Sequence, residues 1–212
     1  MRYAVFSDVH ANLPALEAFV AATCSRVDAY VCLGDVVGYG PWNDECLDLV
    51  LGLPRIALLE GRHERLFNGA ESVAGEPPLV QAFFHASRAH FTRSAAIRGL
   101  PASVEIGPFL CRHSLAVGPP PSGNHFVGRS HDACARVSPA GRIVDCGSVG
   151  LNRRDLGRAS FAFYDASTGD VRLCDVAYPP DRLLREVESR GYPAACVDYY
   201  RRKLPVARRV AG

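Results

Sequence analysis

The sequence predicts an α/β protein, a two-sheet β-sandwich flanked by helices in α-β-β-α layers, folded as a single domain over residues 1–212. Three observations predict it. The first half alternates apolar strands with helices in β-α-β-α-β order, which implies parallel pairing with helices on the sheet faces. Beyond residue 100 the pattern changes to short strand-like runs that finish in a hairpin signal, which implies a second, antiparallel block. Polar residues stand where buried strands should simply stop. Right-handed crossovers bring such strand ends to one edge of the sheet, where ligands bind.

Residues 2–7 read as a buried strand and 12–23 as a helix that tolerates Pro14 in its first turn. Residues 28–33 form a second short apolar strand ended by Gly34, followed by a helix over about 43–52 and a strand over about 55–60. Leu79, Ala82, Phe83, Ala86, His90 and Phe91 recur at helical spacing and predict one long helix over 79–97. Strands are then expected at 102–106, 109–113, 125–129, 142–146, 159–165 and 171–177, the last two joined across Ala-Ser-Thr-Gly-Asp. Between them, Val117 to Gly123 reads as a stiff, turn-rich connector. Helices at 180–190 and about 194–203 close the chain, with a basic tail from about 201 that includes Arg208 and Arg209. That tail reads as a solvated helix end rather than a nucleic-acid patch.

Composition narrows the function classes. Apolar residues make up 48% and charged residues 22%, as in an ordinary globular protein, and the formal charge of +2 does not demand nucleic acid. No apolar run approaches the roughly 18 residues of a membrane span, and no signal-peptide pattern opens the chain. The expected address is cytoplasmic. The 8 cysteines are widely scattered without a C-x-x-C pair, so they read as reduced, mostly buried small hydrophobes rather than zinc ligands.

The chemistry begins at Phe6-Ser7-Asp8-Val9-His10. In an extended chain residues i and i+2 point the same way, so Asp8 and His10 at a strand end reach one point beyond the sheet. Further polar strand ends follow at Gly34-Asp35, Gly61-Arg62-His63-Glu64, Arg112-His113 and Gly128-Arg129-Ser130-His131. Asp8, His10, Asp35 and His131 supply two carboxylates and two imidazoles, a sufficient ligand set for one divalent transition metal (Mn, Fe or Zn) with an open position.

The order Asp-x-His, Gly-Asp, Gly-x-His-Glu, strand-end His, Gly-x-x-His resembles the calcineurin-like metallophosphoesterases. The text around His10 to Ala18, around Gly34 to Pro41 and around Gly147 to Leu151 is similar to the small bacterial branch of that family. The resemblance covers nearly the whole chain. It implies hydrolysis of a phosphomonoester or phosphodiester by metal-activated water, with Asp35 bridging two metals and His63 as the catalytic histidine. One metal takes Asp8, His10, Asp35 and His131, all present; of the second metal's ligands only Asp35 and His113 are kept. Arg62 stands where the family has Asn and Arg129 where it has His, and a guanidinium has no lone pair to give a metal. This argues against a second ion. Instead it suggests that Arg62 and Arg129 grip phosphate oxygens, with His113 beside them as a weak ligand or proton carrier and Glu64 orienting His63.

The family usually places a helix and a strand between the strand-end His and the Gly-x-x-His motif, where this chain has only residues 114–127. The pocket is then either more open on that side or walled by a second copy in a homo-oligomer. Two other readings stand beside hydrolysis. One is a silent family member that binds a phosphorylated small molecule or nucleotide, its arginines paired with Asp8, Asp35 or Glu64; the other is a one-metal enzyme of different chemistry. His85, His90 and His125 read as incidental, and Tyr39 and Trp42 as packing rather than base-stacking residues. Arg153 and Arg154 either reach the pocket or are solvated, and no Asp/His pair serves Ser148 as a nucleophile.

Overall fold

In the computed structural model, which describes residues 1–115, 118 and 121–204, ten strands form two five-stranded sheets. The first sheet takes the order β10-β9-β1-β2-β3. It is built from β1 (Arg2–Phe6), β2 (Ala29–Cys32), β3 (Ile56–Leu58), β9 (Arg158–Asp165) and β10 (Asp170–Ala177). β1, β2 and β3 run parallel because α1 (Leu13–Thr23) and α2 (Asn43–Leu51) carry the chain back between them. The β9–β10 hairpin pairs antiparallel and joins this sheet through β1, not the second one.

The second sheet takes the order β4-β5-β6-β8-β7, from β4 (Ser103–Ile106), β5 (Phe109–Arg112), β6 (Asn124–Val127), β7 (Cys134–Ser138) and β8 (Gly141–Asp145). It is mixed rather than antiparallel: β5, β6 and β8 are parallel, and only the edges β4 and β7 run the other way. Between the sheets lie Val5, Val31, Leu33, Phe109, Cys111, Phe126, Val144 and Tyr164, all buried. A larger core joins the other face of the first sheet to α1, α2, α4 (Pro78–Arg88), α5 (Asp181–Ser189) and α6 (Ala194–Arg202).

Two helical expectations change. The long helix stops at Arg88; residues 89–93 leave the helix and a short 3-10 turn covers Ser94–Ile97. A helix that the sequence concealed, α3, spans Arg62–Asn68, so Arg62, His63 and Glu64 form a helix start, not a strand end. Among the described residues the β5–β6 connection carries no helix. Residues 117, 119 and 120 of the expected connector, and the tail with Arg208 and Arg209, lie outside the described residues.

Candidate metal centre

Strand alternation does not bring the ligands together; left-handed turns do. β1 ends at Phe6, and Asp8 (φ 57°) and His10 (φ 48°) then occupy the left-handed region. So do Asp35 (φ 55°) after β2, and Arg129 (φ 70°) and His131 (φ 59°) after β6. Each costs a bulky L-residue about 1–2 kcal/mol, so the surrounding structure has to enforce it. Backbone bonds do so. Asp8 N–H donates to Gly34 O at 3.0 Å, His10 N–H to Asp35 O at 3.0 Å, and Gly150 N–H to Asp8 O at 3.0 Å. The Ser148 hydroxyl also donates to Asp8 O, at 2.7 Å, which gives this serine a structural task. Gly128 permits a close approach: a Cβ there would sit 2.1 Å from Ser7 Oγ and 2.8 Å from Asp8 Oδ2.

Asp8 Oδ1 lies 3.5 Å from His10 Nε2 and 3.1 Å from His131 Nε2, and the two imidazole nitrogens are 3.2 Å apart. His131 Nδ1 sits 2.9 Å from the Leu151 carbonyl and must donate its N–H there. In the neutral ring, Nε2 then carries a lone pair. That nitrogen faces a buried carboxylate oxygen and a second imidazole, an arrangement that calls for positive charge between them, supplied by a proton or a metal ion. Asp8 Oδ1 and His10 Nδ1 are buried without a hydrogen-bond partner. The donor set of two nitrogens and an oxygen suits Mn, Fe or Zn, and the histidine-to-carbonyl bond behind it is the usual support of a metal ligand. The residues therefore fit the ion that the sequence implies.

Asp35 sits beside this cluster, its Oδ2 3.3 Å from His113 Nε2. Asp8, Asp35 and His113 each bring one donor atom to within 4.8 Å of the others, as do His10, Asp35 and His63. Asp35 Oδ1 accepts the His63 backbone N–H at 2.7 Å. The His63 ring stands edge-on to His10, with centroids 4.9 Å apart, and tilted against Tyr39 at 5.0 Å.

Glu64 does not orient the His63 ring. It is fully buried and accepts four backbone N–H groups: Asp35 at 2.8 Å, Val36 at 2.8 Å, Val37 at 3.3 Å and Gly61 at 2.9 Å. It thus clamps the Asp35 turn to the start of α3.

Burial opposes charge on Asp8, yet His131 and His10 hold it well below the ordinary carboxylate range. Asp35 behaves alike, lowered against burial by His113 and His63. Burial disfavours charge on His113 too, but Asp35, Asp8 and Glu64 outweigh it and push the imidazole up to about 10. His131 is raised, with burial opposed by Asp8. Burial lowers His63 to about 4, leaving it neutral near pH 7. Burial and the neighbouring Asp35 push Glu64 up to about 7.

The two arginines are placed differently. Arg62 pairs with neither Asp8, Asp35 nor Glu64. Its Nη1 donates to Glu76 Oε2 at 3.1 Å, its Nη2 meets Glu76 Oε1, and its Nε lies 3.4 Å from Glu71 Oε2. Arg129 donates its backbone N–H to Asp8 Oδ2 at 2.9 Å, and its exposed guanidinium has no ion pair among the described residues. Glu76 is held below its ordinary range first by the Arg62 hydrogen bond, with the charges of Arg62, His63 and Arg129 adding to it. Sequence reasoning missed Glu71 and Glu76, and it weighed Ser148 only as a nucleophile, not as a support of Asp8. Loop acids and a hydroxyl bound to backbone leave no spacing signal.

The remaining candidates fall outside the cluster. His85 and His90 are exposed, and His125 is buried with Nε2 3.0 Å from Ser122 O. Tyr39 packs against Phe83 at 4.8 Å as well as the two histidines, and Trp42 is buried under the Arg182 guanidinium at 5.1 Å. Arg153 and Arg154 reach the outside of the His131 loop, bonding Ser130 O and Asp132. All eight cysteines are free thiols, and five are buried.

A two-sheet sandwich with Asp and His ligands gathered at its strand ends defines a metallophosphoesterase-type site. The chain belongs to the calcineurin-like phosphoesterase family, whose model matches residues 1–115. Its structure superposes on a metallophosphoesterase from Sphaerobacter thermophilus with a TM-score of 0.74 and 26% identity, over 93% of this chain and 97% of that one. A hypothetical protein of Pyrococcus horikoshii OT3 gives a TM-score of 0.81 at 18% identity over 93% and 96% of the chains, a likeness of fold alone. An uncharacterized protein of Methanocaldococcus jannaschii is 39% identical over 71 residues, which is 33% of this chain and 29% of that protein. The family implies a divalent metal and phosphoester chemistry. No helix among the described residues is long and apolar enough to cross a membrane.

Proposed function

We propose that the protein hydrolyses a phosphomonoester or phosphodiester of a small molecule or nucleotide, with one divalent transition metal held by Asp8, His10, Asp35 and His131. The observation that carries this reading is the His131 tautomer: with Nδ1 bonded to Leu151 O, the Nε2 lone pair faces Asp8 Oδ1 at 3.1 Å and calls for a cation. Such an ion supplies Lewis acidity to the phosphoryl oxygens and a nucleophilic water near neutral pH. Asp35 holds the His63 backbone and so fixes the imidazole at the site. His63, neutral near pH 7, bonds the leaving oxygen and steadies it as the ester breaks. In this reading Arg129, and Arg62 once released from Glu76, balance phosphate charge in place of a second ion. His113, its Nε2 3.3 Å from Asp35 Oδ2 and its imidazole pushed up to about 10, adds positive charge on that same side.

The test measures metal content and turnover together. We expect about one transition metal per chain in the purified protein, hydrolysis of p-nitrophenyl phosphate or bis-p-nitrophenyl phosphate, and loss of both in Asp8→Asn. Two metals per chain would overturn the role given to the arginines. A metal-loaded protein that binds phosphate and turns over neither ester would leave a silent binder.

A further inference from the structure

Between α3 and the ends of β4 and β5 lies a cavity of about 430 Å³ whose wall includes His113. Glu60, Arg65, Ser103, Arg112, His113 and Ser114 wall it. His113 ties the cavity to the centre, because its Nε2 is 3.3 Å from Asp35 Oδ2. Arg112 is the preceding residue on β5, opposite Ser103. Its neighbour Cys111 points into the space between the sheets, so alternation sends Arg112 to the outer face. The β5–β6 connection leaves that face without a helix among the described residues.

Charge in this cavity is unbalanced. Arg65 is already engaged, with Nε on Glu71 Oε1 at 2.5 Å and Nη1 3.9 Å from Glu60 Oε2. The Arg112 guanidinium has no hydrogen bond or ion pair among the described residues, and its Nε is buried without an acceptor. Arg112 is half-buried, so the cost falls on its Nε alone, and a fork closed on an oxyanion would satisfy that donor with strong charge-assisted bonds. Ser103 and Ser114 add hydroxyl donors to the same walls.

We propose that Arg112 forms a subsite for a second phosphate, so that the phosphoester cleaved at the metal centre is one end of a bisphosphorylated small molecule. This rests on the hydrolytic reading above. The phosphate being cleaved is held at the metal centre on the His113 side, and the far phosphate enters the cavity and closes the Arg112 fork. Glu60 stays tied to Arg65 and does not compete for it.

The test compares kcat/KM for fructose 1,6-bisphosphate and fructose 6-phosphate with Mn-loaded protein. We expect the bisphosphate to be preferred by about tenfold or more, the effect of one charge-assisted contact. Arg112→Gln should cut that ratio about tenfold, and Arg112→Lys, which keeps the charge and guards against a folding defect, should fall between. A crystal soaked in tungstate gives an independent readout: one site at the metal centre and a second at Arg112, the latter lost in Arg112→Gln. Turnover with equal ratios in all three proteins, or tungstate at the metal centre alone, overturns the subsite and leaves hydrolysis standing. Tungstate at Arg112 with no turnover of either sugar supports the subsite and overturns hydrolysis.

Discussion

Glu76→Gln separates two roles for Arg62. The Glu76 carboxylate fills the Arg62 fork, with Nη1 to Oε2 at 3.1 Å and Nη2 on the other oxygen, so a phosphate that Arg62 is to hold must first displace it. The side chains are 35% and 18% exposed, and solvent screening keeps such a pair to about 1 kcal/mol despite its two-point geometry. Removing the competing carboxylate returns about that 1 kcal/mol to an incoming oxyanion, roughly fivefold in its dissociation constant. The assay is competitive inhibition of p-nitrophenyl phosphate turnover by inorganic phosphate, with metal saturating. The inhibition constant should fall about fivefold in Glu76→Gln and rise in Arg62→Ala. The lost ion pair should also lower Tm by about 2–4 °C in a chain of this size. An inhibition constant that rises or stays fixed in Glu76→Gln while Tm falls would refute the reasoning. Arg62 would then be a clamp for the 69–77 loop and not a phosphate ligand.

Two further outcomes follow from the geometry. Burial pushes Asp145 from its ordinary 3.8 up to about 6, and the residue is 7% exposed, a difference of roughly 3 kcal/mol between its protonation states. Because the folded value is the higher one, the native state is favoured below about pH 4 and loses that advantage as pH rises through 6. Asp145→Asn, which keeps an acceptor for the Gly147 N–H, should therefore gain about 2–3 kcal/mol in urea unfolding at pH 7.5 and nothing at pH 4; an equal change at both pH values would contradict this. Gly128→Ala places a methyl 2.1 Å from Ser7 Oγ and 2.8 Å from Asp8 Oδ2. It should cost about 1–3 kcal/mol in unfolding and reduce metal content, both read on one purified sample.

Much of the site was legible because metal ligands must be particular residue types near strand ends. Asp8, His10, Asp35 and His131 were read from the sequence as one set; the structure groups Asp8, His10 and His131, and brings Asp35 together with His10 and His63 and with Asp8 and His113. The reason offered for Asp8 and His10 was wrong: left-handed turns, not strand alternation, aim them. α3 escaped notice because Arg62–Asn68 is short and starts with Arg-His-Glu, which shows no apolar period. β7 escaped because Cys134–Ser138 is a largely exposed edge strand with no buried face to impose alternation. The break after Arg88 carries neither Gly nor Pro, so the helical spacing ran on through it. The direction of the strands in the second sheet depends on how its connections cross, which local sequence does not encode. The Glu71 and Glu76 grip on Arg62 spans loop residues with no periodic relation to it.

Asp8, Asp35 and Glu64, three of the four buried carboxylates among the described residues, have surroundings that assign them different tasks. Glu64 is saturated by four amide donors, so it serves the backbone and has no lone pair left for a ligand in that plane. Asp35 spends one oxygen on the His63 amide and leaves the other beside His113, where no hydrogen bond forms. Asp8 spends Oδ2 on the Arg129 amide and keeps Oδ1 unpartnered between two imidazoles. Buried charge is tolerated only when it is compensated. Glu64 meets only backbone amides, whereas Asp8 and Asp35 each turn one oxygen toward imidazoles, and that is the side open to a cation. Strain of about 1–2 kcal/mol does not by itself mark a ligand, because Ala11, Tyr39 and Arg55 share the left-handed conformation. The pairing of that backbone with buried donors left unpartnered, at Asp8 Oδ1 and His10 Nδ1, is what fits the ion centre proposed above.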